Sequence, residues 1–118
     1  MNRVTTRLAA LVMSFVLLVA VAAAPAPTPG AGEAVYSRWC VHCHASGRGN
    51  PGTDSLQVKY AGKVPAVLLE RTDLSPEAVT LFVRQGVLSM PPFRKTEVTD
   101  AELAALSGYV SRNYVKPR

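Results

Sequence analysis

Residues 40–44, Cys40-Val41-His42-Cys43-His44, hold two thiols and two imidazoles in five consecutive positions. Such side chains can bind a metal, exchange disulfides or carry a cofactor, and their spacing separates these chemistries. A closed zinc site takes about four protein ligands, usually from two paired motifs. This chain has only two cysteines and two histidines, and one short segment can hardly wrap a tetrahedral ion. Disulfide exchange needs a thiol of lowered pKa at a helix start, usually beside a β-α-β pattern. No strand pattern surrounds this motif. Cys-x-x-Cys-His is the attachment signature of a c-type haem. Its two thiols add to the two vinyl groups on one porphyrin edge, and the next residue offers its imidazole to the iron. Cys40 and Cys43 are then anchors and His44 the iron ligand. His42, between the anchors, is expected to be a partly exposed bystander.

Iron held by one imidazole either keeps an open face or takes a second ligand. An open face permits gas binding or catalysis, as in a haem enzyme or gas sensor. A closed face favours electron transfer, because the ligands move little when the iron changes oxidation state. There is no third histidine, and Met1 and Met13 are expected to leave with an N-terminal signal. Met90, in "GVLSMPPF", is the remaining candidate. A thioether suits haem iron, and Met/His ligation raises the reduction potential. Pro91 and Pro92 stiffen the backbone after Met90 and restrict the residues before it. The expected metal ligands are His44 and Met90, and the open-site enzyme or sensor is the alternative.

The rest of the chain must deliver and position these groups. Arg3 and Arg7 precede an apolar run from Leu8 to Ala24, interrupted only by Ser14. Small residues end it, so the run is expected to be a secretory signal, residues 1–23, cut between Ala23 and Ala24. An uncleaved segment would be a short membrane anchor. Residues 24–31, rich in Pro and Ala, read as a linker, and 32–118 as one domain. Losing Arg3 and Arg7 from 13 basic side chains leaves 11 against 8 acidic ones, a net charge of +3. That is too mild for nucleic acid, and no basic run is interleaved with aromatics. A domain this small buries a limited core. Two cysteines three positions apart add little as a disulfide, so a large apolar cofactor is the expected stabiliser.

Helical spacing places a helix from Glu33 to about Cys40, with Ala34, Val35 and Trp39 recurring. A weaker one is expected over Pro65–Arg71. Ser75, Pro76 and Glu77 open a third, striped by Val79, Phe82 and Val83 and stopped by Gly86. Thr99 to Glu102 fits a capping box for a fourth, with Leu103, Leu106 and Val110 on one face. Long loops are expected at 45–64 and 87–98. The expected fold class is all-α.

Gly32-x-x-x-Tyr36 before the cysteine motif, then "SMPP", then a capped final helix with Tyr109, resemble a small class I cytochrome c. The resemblance covers residues 32–113. It implies three to four helices wrapped around one covalent haem c, with the first and last helices crossing at Gly32, Tyr36, Leu106 and Tyr109. It also implies that Pro51 offers its carbonyl to the Nδ1–H of His44. Trp39, Tyr60 and Arg48 become candidates for the haem propionates, and Arg94 and Lys95 for a basic rim facing a redox partner. The stretch from Leu74 to Val110 is similar to cytochrome subunits of flavocytochromes such as p-cresol methylhydroxylase. That likeness implies an electron-transfer protein, not an enzyme in itself. Its partner would be a dehydrogenase, flavoprotein or quinoprotein, or another cytochrome or oxidase, in the periplasm.

Overall fold

A computed structural model describes residues 28–118. The expected signal, 1–23, and the linker up to residue 27 lie outside the described residues. Helix α1 spans Ala31–Trp39 and α2 is one turn, Val41–His44. Then come α3, Pro51–Tyr60, a 3-10 turn, Leu68–Glu70, α4, Pro76–Gln85, and α5, Asp100–Val110. Among the described residues there is no strand, only an isolated antiparallel pairing of Val87 with Met90. The all-α class holds.

The strongest local signals formed the expected helices. Ser75 caps α4 by accepting from the backbone N–H of Ala78 at 3.2 Å, with Pro76 in the first turn. Thr99 and Glu102 form the full capping box of α5, where the Thr99 Oγ accepts from the Glu102 N–H at 3.2 Å and the Glu102 carboxylate from the Thr99 N–H at 2.8 Å. Gly30, at φ 82°, precedes α1, so the helix begins inside the stretch read as linker.

Two expectations are corrected. Residues 45–64 are not one long loop, because α3 runs through them. Pro51 at its first position supplies a preset φ and lacks the N–H that would be unpaired there. No apolar stripe marks this helix, and Thr53 is its only buried residue. Pro65–Arg71 does not form an α-helix but a 3-10 turn of three residues.

The core lies where α1 crosses α5. A Cβ on Gly32 would sit 2.2 Å from the carbonyl oxygen of Ala105 and 2.6 Å from the Cβ of Tyr109. Only glycine allows that approach. The rings of Tyr36 and Tyr109 pack alongside at 5.8 Å. Val35, Leu103, Leu106 and Val110 are buried there, joined by Val79 and Val83 of α4 and by Val98. Each such side chain contributes roughly 1.5–3 kcal/mol when fully buried. The C-terminal tail then laces back, with the Val115 N–H donating to the Thr72 carbonyl and the Asn113 amide to that of Leu69, both at 2.8 Å.

Candidate functional site

The cysteine motif is held by its own short helix. The Cys40 carbonyl accepts from the N–H groups of Cys43, at 3.1 Å, and His44, at 2.9 Å. The Tyr36 hydroxyl donates to the His44 carbonyl at 2.9 Å, which ties the motif to α1. Cys40 is half-buried and Cys43 exposed. Burial and the neighbouring Cys43 push the Cys40 thiol up to about 11. A disulfide exchanger needs the opposite shift. Burial lowers the pKa of His44, keeping its imidazole neutral, as an iron ligand must be. Among the described residues no group of three His, Cys, Asp or Glu side chains could hold a metal ion.

Cys40, His44 and Met90 all line one cavity of about 320 Å³. Its wall is mostly apolar, with Leu56, Leu68, Val83 and Leu106 among the lining residues. Lys59, Tyr60, Arg71 and Asp73 supply its polar and charged part. The Arg71 guanidinium lies 4.5 Å over the Tyr60 ring and its Nε donates to the Asp73 carboxylate at 2.8 Å. Only 4% of the Arg71 side chain is exposed. This charge-assisted contact holds the Asp73 carboxyl below its ordinary pKa. An apolar wall with one cationic cluster fits a planar apolar ring that carries carboxylates. Haem is such a group. Cys40, His44 and Met90 face this cavity together with Arg71, Tyr60 and Lys59, while Cys43, one turn from Cys40, is exposed beside it.

Of the three expected propionate contacts, Tyr60 lines the cavity. Trp39 instead packs edge-on against Phe93 at 5.8 Å, and Arg48 is exposed in the loop before α3. The place of Arg71 at the cavity escaped the sequence reading, which took it only as the end of the expected helix over Pro65–Arg71. Its only signal is its place between Leu68-Leu69 and Leu74. Pro51 opens α3, and its carbonyl accepts from the Ser55 hydroxyl at 2.6 Å. The His44 Nδ1 is buried without a hydrogen-bond partner among the described residues. Gly52 packs against the ring, where a Cβ would lie 2.6 Å from Cε1. His42 is exposed, as expected. The basic rim is largely neutralised: Arg94 pairs with Glu97, and Lys95 with Asp100 at 2.8 Å. No helix among the described residues is long and apolar enough to cross a membrane.

No curated protein matches the chain. OmcF, an outer membrane cytochrome F from Geobacter sulfurreducens, is 16% identical, covers 71% of this chain and 99% of its own, and has a TM-score of 0.46. Cytochrome c6B from Synechococcus sp. WH8102 is also 16% identical, over 73% of this chain and 90% of its own, with a TM-score of 0.48. Both are similar only at a distance. The family model described as "Cytochrome C oxidase, cbb3-type, subunit III" matches residues 27–110, well over half of the chain. The cofactor of this family is covalently bound haem c, and its chemistry is electron transfer. The site's thiol pair, neutral imidazole and apolar cavity agree with that match, and the chain belongs to this cytochrome c family.

Proposed function

We propose that the chain is an exported, periplasmic carrier of single electrons in which Cys40 and Cys43 anchor the haem and His44 and Met90 close both axial positions. One observation carries this reading. Met90, 46 residues beyond His44 in the sequence, opens onto the same cavity as His44 and Cys40. Haem supplies a one-electron change at its iron, and the protein sets its potential, orientation and exposure. A neutral imidazole and a neutral thioether leave the iron's charge uncompensated, which favours the reduced form. The apolar wall excludes water and adds to that preference. Arg3, Arg7 and the apolar run after them support export. The family description names an oxidase, which supports a respiratory acceptor. The donor proposed is a dehydrogenase, either a flavoprotein or a quinoprotein. Electron-transfer encounters of this kind are small and steered by charge.

The test is carbon monoxide binding to the reduced holoprotein. Wild type should bind it poorly and Met90→Ala readily. Ready binding by wild type would establish the open-site reading instead.

A further inference from the structure

The loop that carries Met90 leaves α4 and returns to it. The Gly86 N–H donates to the Phe82 carbonyl at 2.8 Å. Val87 and Met90 exchange backbone hydrogen bonds at 3.0 and 2.9 Å. The Phe93 N–H then donates back to the Val83 carbonyl at 2.8 Å. At Gly86 a Cβ would lie 2.6 Å from the Met90 carbonyl oxygen, so the loop closes tightly over the helix end.

One side chain spans this closure. Arg84, in the last turn of α4, donates from Nη1 to the carbonyls of Phe93, at 3.0 Å, and Val98, at 2.8 Å. Its Nη2 donates to Asp100 Oδ1 at 2.8 Å. The guanidinium is planar and its donors have fixed directions. It therefore fixes the returning strand of the loop, the residues before α5 and the end of α4 in one arrangement. A lysine at this position has no such fork. Only 20% of the Arg84 side chain is exposed, and its two bonds to carbonyls are partly buried, whereas Asp100 lies at the surface. Arg84 is absent from the lining of the cavity, and any effect on the cofactor passes through the loop backbone.

We propose that Arg84 is a positioning residue for Met90, a clasp that orders residues 86–98 in the fold so that the thioether need not do so on binding iron. The proposal rests on Met90 being the second axial ligand. A free loop would lose backbone entropy each time the thioether bound. Any competing base would then displace it more easily.

The test uses the ferric holoprotein with imidazole as the competing base. Arg84→Ala loses all three charge-assisted bonds and should raise the apparent affinity for imidazole at least about tenfold. The weak red absorption of a thioether on ferric iron should fade at lower imidazole. Arg84→Lys, which keeps the charge but not the fork, should give a rise of about threefold. Arg112→Ala, just beyond the C-terminal end of α5, should match wild type. Amide exchange at Val87 and Met90 should accelerate in Arg84→Ala, a readout independent of the iron. Wild-type imidazole affinity in Arg84→Ala, with Met90→Ala clearly raised, overturns the clasp and spares the ligation reading. Equal binding by wild type and Met90→Ala overturns the ligation reading and the proposal with it. Should Arg84→Ala yield no holoprotein, Arg84→Lys decides, and no rise in that variant overturns the clasp.

Discussion

Gly32→Ala is expected to weaken the fold by driving α1 and α5 apart. The added methyl would lie 2.2 Å from the Ala105 carbonyl oxygen and 2.6 Å from the Tyr109 Cβ. Ordinary contact begins near 3.5 Å, so the helices must separate by roughly 1 Å at their crossing. Neither obstacle is the end of a flexible side chain, so neither can swing aside. Overpacking of this kind costs about 3 kcal/mol, at the upper end of the usual range. Alanine recovers up to about 1 kcal/mol through its better helix propensity. The net loss is about 2 kcal/mol, a fall of about 8–16 °C in Tm for a domain of this size. Thermal unfolding of the holoprotein, followed by circular dichroism, measures it. Gly108→Ala, on α5, is the matched control. A Cβ there meets nothing within 4 Å. That variant should gain up to about 1 kcal/mol. If Gly32→Ala melts with wild type, or Gly108→Ala falls as far, the close crossing does not govern stability.

Thr99→Ala removes the capping box of α5 and should cost about 1 kcal/mol, read as a lower urea midpoint with an unchanged slope. Asp73→Asn removes the carboxylate partner of buried Arg71 and should cost about 2 kcal/mol at neutral pH, a figure kept low because half of the Asp73 side chain is exposed. The folded pKa of Asp73 is depressed below its ordinary 3.8. Its contribution is therefore present above that value and lost as pH falls through the folded one. Acid titration of stability should show this loss in wild type and lack it in Asp73→Asn.

What could be read from sequence was chemistry and punctuation. Helices α4 and α5 carry caps whose partners lie three residues away, so their starts were legible. The cysteine motif and the lone loop methionine were legible as well, since their residue types are scarce in this chain. Helix α3 was not, because Val58 points to solvent and no apolar stripe interrupts its polar run. The Leu68-Leu69 pair suggested a helix because apolar spacing alone does not distinguish a helix from a turn that covers a cavity. Pairings across the chain were hidden throughout. Lys95 looked like a free cation until α5 brought Asp100 to it. Arg71 looked like the polar end of a weak helix until Tyr60 and the cavity wall closed over it. Such contacts depend on the tertiary fold and leave no local mark.

The crossing at Gly32 also bears on the order in which the protein matures. Helix α1 precedes the cysteines directly, yet its packing surface is α5, the last helix of the chain. A chain emerging from its N-terminus presents both thiols before that surface exists. Val83, Met90, Leu106 and Val110, which complete the cavity wall, also come later. Closing this long-range contact carries a loop-closure cost that slows it relative to local helix formation. The topology thus leaves an interval in which the thiols sit on an open chain and can be joined to the ring. On the proposed reading, in which Cys40 and Cys43 anchor the haem, the cavity wall formed by α4, the methionine loop and α5 closes around a ring already attached.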